Sequence, residues 1–268
     1  MVFPDLRDRL VGEPGTFDYV RCNACGTLQI AEVPADLGRY YQSYSPHVNR
    51  SAVFEMLRRA LLRGCYTFPR PSGDRTLLDI GCGSGWYMEA MMARGWKAQG
   101  YEPDADTAQR AANATGVRVV SSLEDLPDAS FDLVTMNHVV EHVPDPAALL
   151  TTVLRLLRPG GRAWLSVPDP EGREARRFGA GWFHLDPPRH LSLLSRSRTT
   201  QLLEAAGFRG VSIRSLPAPT GFAGSWSYRL TGRLHPVVWY AATLPGLLWM
   251  MAVPDGFYGA TAHRPAGA

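Results

Sequence analysis

Between Thr76 and Val167 the chain alternates short apolar runs with amphipathic stretches. Thr76–Ile80 (TLLDI), Lys97–Glu102, Val117–Val120, Phe131–Met136 (FDLVTM) and Arg162–Val167 (RAWLSV) read as strands, several of them apolar on both faces, as buried parallel strands are. Gly85–Arg94, Asp104–Ala114 and Pro146–Leu157 carry helical spacing between them. Asp104 is placed as an N-cap, and Arg158-Pro159-Gly160-Gly161 as a helix stop. A further helix is predicted over Ser197–Ala206, then strands over Val211–Leu216 and Phe257–His263. Strand–helix alternation of this kind predicts an α/β fold, a doubly wound sheet with helices on both faces. Upstream, Val53, Phe54, Leu57, Ala60 and Leu61 fall on one face of a helix over about 47–64, while residues 1–45 read as loop-rich.

One segment departs from that alternation. Leu234–Pro254 holds no charged residue over a length close to a membrane span. Pro236 and Pro245-Gly246 interrupt it, and a strand follows it, so two short amphipathic or buried helices are expected in place of a span. Residues 217–255 are thus an apolar insertion between the last two strands.

Composition narrows the function classes. The chain has 268 residues, 45% hydrophobic and 20% charged, which excludes a disordered chain and leaves room for a full core. A net charge of +3 with scattered arginines and Lys97 as the single lysine gives no nucleic-acid footprint. Four cysteines are too few for a disulfide scaffold at this length, and the first ten residues are charged too early for a signal core. The cytoplasm is the expected location.

The strongest chemical signal is LLDIGCGSGW, Leu77–Trp86: a buried strand runs into Gly81-x-Gly83-x-Gly85 and a helix opens at once. Glycines there allow a tight turn and close approach of a ligand. Glu102 ends the next strand 21 positions after Gly81, where an acid can take ribose hydroxyls. The third glycine of the dinucleotide fingerprint is missing, and Asp79 would repel a pyrophosphate but suits an amine-bearing ligand, so NAD is disfavoured. A Walker lysine is also absent.

DIGCGSG, YEPD and FDLVTMNHVVEHVPDP…LLRPGG, in this order over about Leu77–Val167, resemble the class I S-adenosylmethionine-dependent methyltransferases. The resemblance implies a Rossmann-like seven-stranded sheet whose last strand is antiparallel and inserted, giving Phe257–His263 a place. It implies that Asp79, Gly81, Cys82, Gly83 and Gly85 hold the methionine part of the cofactor, and that Glu102 with Pro103 holds the ribose. Ser122 and Leu123 would then read the adenine, and Asn137 and His138 would lie beside the methyl-bearing sulfur. TFDYVRCNACGTLQ, RYYQSY and WFHLDPPRHLSLLS resemble bacterial small-molecule methyltransferases with an N-terminal zinc-ribbon-like segment. Here only Cys22-x-x-Cys25 is present, two of four ligands, so residues 1–45 read as a half zinc-ribbon-like segment ahead of a methyltransferase domain over 46–268: a metal-free knuckle is expected, with half a zinc site completed by a partner chain or further residues as the alternative.

His138, Glu141 and His142 match the letters of H-x-x-E-H, but a short segment before Pro144 cannot be a metalloprotease helix. In ubiquinone-type O-methyltransferases the equivalent stretch, E-x-x-E-H, helps bind a divalent metal. His138 replaces the first acid here, so no metal is expected, and Glu141 and His142 either fix the loop or assist catalysis. His184, Asp186 and His190 lie in a proline-stiffened loop after the fifth strand, where substrate should sit. His190 and His142 are the candidate bases, since an imidazole suits removal of a phenol or alcohol proton. The expected activity is methyl transfer to a small, apolar acceptor, at oxygen first, with C- or N-methylation and a non-catalytic cofactor-binding protein as alternatives. No nucleic-acid partner and at most weak membrane association are expected; a homodimer is compatible.

Overall fold

The computed structural model describes residues 2–42, 69–73 and 75–267. The helix expected over 47–64 lies outside them. Two compact units are formed: Met1–Tyr66 with Val167–Arg198 and Arg214–Tyr258, and Thr67–Ser166 with Thr199–Ile213 and Gly259–Ala268.

The first unit carries an antiparallel sheet in the order β1 (Phe3–Leu6), β2 (Phe17–Arg21), β3 (Leu28–Ile30) and β9 (Ser192–Leu193). The N-terminal residues expected to be loops therefore hold three strands. They were hard to read because each is short and β3 pairs with Leu193, far along the chain. Tyr19, Leu28, Phe178, Trp182 and Leu193 centre its core. α1 is one turn, Arg39–Gln42. The apolar insertion forms two helices, α7 (Pro219–Thr231) and α8 (Pro236–Ala252). Gly221 and Gly224 let α7 pack closely: a Cβ at Gly221 would lie 2.4 Å from both Glu174 Oε1 and His184 Nε2, and one at Gly224 2.2 Å from the Phe183 ring.

The expectation of two short helices across Leu234–Pro254 is corrected: α8 is one helix running through Pro245. Pro245 and Ala241 are both exposed, so the carbonyl that loses its helical donor faces water. Among the described residues no helix is long and apolar enough to cross a membrane.

The second unit carries the seven-stranded sheet. Its order is β10 (Arg209–Leu216), β11 (Phe257–His263), β8 (Leu157–Pro168), β7 (Phe131–Asn137), β4 (Arg75–Ile80), β5 (Trp96–Tyr101) and β6 (Val119–Val120). β4, β5, β6, β7 and β8 run parallel, and the last strand, β11, is inserted between β8 and β10, antiparallel as expected. Helices α2 (Trp86–Met92), α3 (Ala105–Thr115), α4 (Pro146–Leu156) and α6 (Arg196–Ala205) connect strands, and α5 is Arg173–Phe178. Asp104 caps α3 by accepting from Thr107 N–H at 2.8 Å, and Asp145 caps α4 through Ala147 and Ala148. Arg158–Gly161 ends α4 as expected but already belongs to β8, whose register against β7 slips there. A Cβ at Gly161 would lie 2.8 Å from the Arg158 carbonyl, so only glycine fits the bulge.

Candidate functional site

The carboxyl ends of β4, β5, β6 and β7 place the predicted cofactor residues along one edge of the parallel sheet. β4 ends in Asp79, which is 3% exposed and accepts a 2.7 Å hydrogen bond from the Thr135 hydroxyl. Burial pushes its carboxyl up to about 7. The following turn runs through Gly81, Gly83 and Gly85, all at positive φ (68°, 52° and 80°). At Gly81 a Cβ would also lie 2.6 Å from Val139. Cys82 contributes backbone only, its N–H donating to the Tyr101 carbonyl; its thiol is buried, and a Cβ at Gly100 would lie 2.8 Å from the sulfur.

Glu102 follows β5. One carboxylate oxygen accepts from Gly83 N–H at 3.1 Å and the other from Asp104 N–H at 3.3 Å. The glycine turn and the acid thus hold each other in place. Pro103 is exposed beside them. After β6, the Ser122 hydroxyl donates to the Glu124 carboxylate at 2.6 Å and Leu123 is buried.

Asn137 ends β7. Its side-chain oxygen accepts from Trp164 Nε1 and from the Ser166 hydroxyl, both at 3.1 Å. Because an indole N–H can only donate, the amide orientation is fixed. The Nδ2 group is buried and has no hydrogen-bond partner among the described residues. His138 adopts φ 57°, donates its backbone N–H to Ser166, and holds its Nδ1 3.3 Å from the buried Glu141 carboxylate. Glu141 thereby braces the loop, and His142 closes it through its N–H to Val139.

In the first unit the WFHLDPPRHL loop is almost wholly buried. Arg189, with no exposed surface, binds Asp8 at 2.8 Å and Asp186 at 2.6 Å. Such a pair is costly to break on one side. This residue was not singled out from the sequence; an arginine beside two prolines gave no signal of a partner at position 8. His190 is 7% exposed, with Nδ1 2.7 Å from the His184 carbonyl. A carbonyl only accepts, so Nδ1 carries a proton, and in the neutral ring the lone pair lies on Nε2.

Cys22 and Cys25 flank the β2–β3 turn, both half-buried and neither in a disulfide. Backbone N–H groups of Cys25 and Ala24 hold the Cys22 thiol below its ordinary range.

A family profile described as a methyltransferase domain matches residues 49–213. The chain belongs to that family: it is a class I S-adenosylmethionine-dependent methyltransferase. A ubiquinone biosynthesis O-methyltransferase from Idiomarina loihiensis is 29% identical over 157 residues, 53% of this chain and 65% of the relative. The chain spans less than two thirds of the length of that relative, and 39% of an uncharacterized methyltransferase from Mycobacterium that is 44% identical over 98 residues. Among solved structures, an S-adenosylmethionine-dependent methyltransferase from Thermotoga maritima superposes with a TM-score of 0.53 at 21% identity, covering 79% of this chain and 96% of the other. These superpositions establish the shared fold. The cofactor of this methyltransferase is S-adenosylmethionine. The residues present fit it: a buried acid for an ammonium, three glycines in the left-handed region, and a half-buried acid for ribose hydroxyls.

Proposed function

We propose that the chain transfers the methyl group of S-adenosylmethionine to an oxygen of a small, apolar acceptor. When bound, the cofactor supplies an electrophilic methyl on a sulfonium sulfur. In this reading Asp79 and the turn Gly81–Gly85 bind its methionine part, with the Cys82 backbone inside that turn. Glu102 and Pro103 bind the ribose, Ser122 and Leu123 the adenine. Asn137 and His138 border the reacting centre, with Asn137 Nδ2 offering a donor.

An acceptor oxygen held beside Asn137 and His138 would receive that methyl, with the displaced sulfur keeping the electron pair. The acceptor's hydroxyl proton goes to a base. The observation that carries this assignment is the hydrogen bond from His190 Nδ1–H to the His184 carbonyl, which leaves Nε2 as the nitrogen that can accept a proton in the neutral ring. His142 is the second candidate, and Glu141 acts through the loop by holding His138. The relatives named ubiquinone O-methyltransferases support oxygen as the target. The uncharged Leu234–Pro254 stretch supports an apolar acceptor.

The test is His190→Ala beside His142→Ala with a phenolic acceptor panel. Loss of base assistance should lower kcat about 10²–10⁴-fold while cofactor affinity stays unchanged. Full turnover in both variants would remove the base from the mechanism.

A further inference from the structure

Seven large apolar side chains stand out as exposed among the described residues, and five belong to the α7–α8 hairpin: Leu230, Val237, Tyr240, Leu244 and Leu248, at 57–70% exposure. On α8 the four fall at spacings of three, four and four, which is one stripe along the helix, about 16 Å long at 1.5 Å per residue. Neither helix contains an acidic residue. Scattered exposed apolar residues need no explanation; a continuous stripe marks a surface that binds something.

Cations sit at both ends of that stripe. At the N-terminal end of α8, Arg7, Arg9 and Arg233 line a cavity of about 710 Å³ together with His235 and Pro236. Asp5 and Asp8 also line it, but Asp8 is committed to Arg189, so the arginines outnumber the acids available to them. Arg229, in the last turn of α7, lies over the Trp226 ring at 5.8 Å. At the other end of α8 the exposed Arg177 lies 5.5 Å from the Trp249 ring.

We infer that the α7–α8 hairpin is a docking surface for a membrane rich in anionic phospholipid. The stripe enters the acyl boundary, and the arginines at its ends meet phosphate groups. An apolar helix face combined with flanking arginines is the chemistry that an interfacial helix requires. A second copy of the chain fits less well. An antiparallel two-fold contact along α8 would bring the Arg233 end against Arg177, and a parallel one would bring Arg233 against Arg233. The inference does not depend on the acceptor or on turnover.

Flotation of the full chain with extruded vesicles tests it, comparing phosphatidylcholine alone with a phosphatidylcholine–phosphatidylglycerol mixture. The wild type should float with the mixed vesicles, stay behind with neutral ones, and release at high salt. Arg233→Gln should weaken association about fivefold, the effect of one cation near such a surface. Leu244→Asp should weaken it tenfold or more by removing a leucine that the bilayer would bury. Retained binding of S-adenosylmethionine in both variants checks that they are folded; because both sites are exposed, Arg233→Gln and the salt dependence stand even if Leu244→Asp fails that check. Absence of flotation, or equal flotation with both vesicle types, overturns the inference. A dimer in sedimentation velocity that Leu244→Asp dissolves, without vesicle binding, gives the stripe to a second copy instead.

Discussion

The Glu102 carboxylate accepts a hydrogen bond from the backbone N–H of Gly83 at 3.1 Å, so the acid after β5 and the glycine turn after β4 form one unit. Replacing Glu102 by Ala removes this brace and, in the proposed site, the ribose acceptor as well. Hydrogen bonds to a charged group are worth about 1.5–3 kcal/mol, so S-adenosylmethionine affinity measured by calorimetry should fall about 10–100-fold. Gly83→Val should abolish binding, because φ 52° is strained for a β-branched residue and the added side chain fills the cradle.

In the proposed site Asp79 links cofactor binding to pH. Its carboxyl is raised to about 7 by burial, whereas an ammonium ligand needs it ionised. Affinity for S-adenosylmethionine should therefore be nearly constant above about pH 7 and decline as the pH falls below it, by up to about tenfold per unit. Asp79→Asn should bind weakly and lose this slope. A flat affinity profile from pH 5 to 8 in the wild type would remove Asp79 from the ammonium site.

Glu174 affects stability rather than binding. It is 2% exposed, accepts from the Ser225 hydroxyl, and burial pushes its carboxyl up to about 8. A raised carboxyl favours the protonated folded state. Its stabilising contribution is complete below about pH 4.5, declines as pH rises, and is lost above about pH 8. Glu174→Gln should melt like the wild type near pH 5 and at a higher temperature near pH 9. Equal melting temperatures at both pH values would show that the carboxyl titrates normally.

The cysteines should separate by reactivity. Cys22 has its thiol held low by backbone N–H groups, whereas burial holds Cys82 high. Iodoacetamide near neutral pH should label Cys22 well before Cys82 in peptide mass spectra. Faster labelling of Cys82 would contradict the orientation of its side chain.

Much of the second unit was legible because its signals are local. TLLDIGCGSG couples an apolar strand, a glycine turn and a helix within ten residues, and Asp104 announces its own helix. The first unit was not, because its pairings are remote. β3 finds Leu193, and Arg189 finds Asp8, across more than 160 positions. The continuity of α8 through Pro245 was hidden for another reason: a proline in a helix is tolerated where the orphaned carbonyl meets water, and exposure is not written in the sequence. The candidate base shows both effects. His190 was visible as a residue type beside prolines, while the carbonyl of His184 that sets its tautomer appears only in the folded loop.

Methyl transfer itself is tested most directly with S-adenosylmethionine carrying a deuterated methyl group and a panel of phenols, quinols and other apolar hydroxyl acceptors. Mass spectrometry should find the label on one acceptor oxygen, with one S-adenosylhomocysteine formed per labelled product. The Gly83→Val protein should form neither. Saturating cofactor binding by the wild type with no S-adenosylhomocysteine from any acceptor, or label recovered on carbon or nitrogen, would contradict the account.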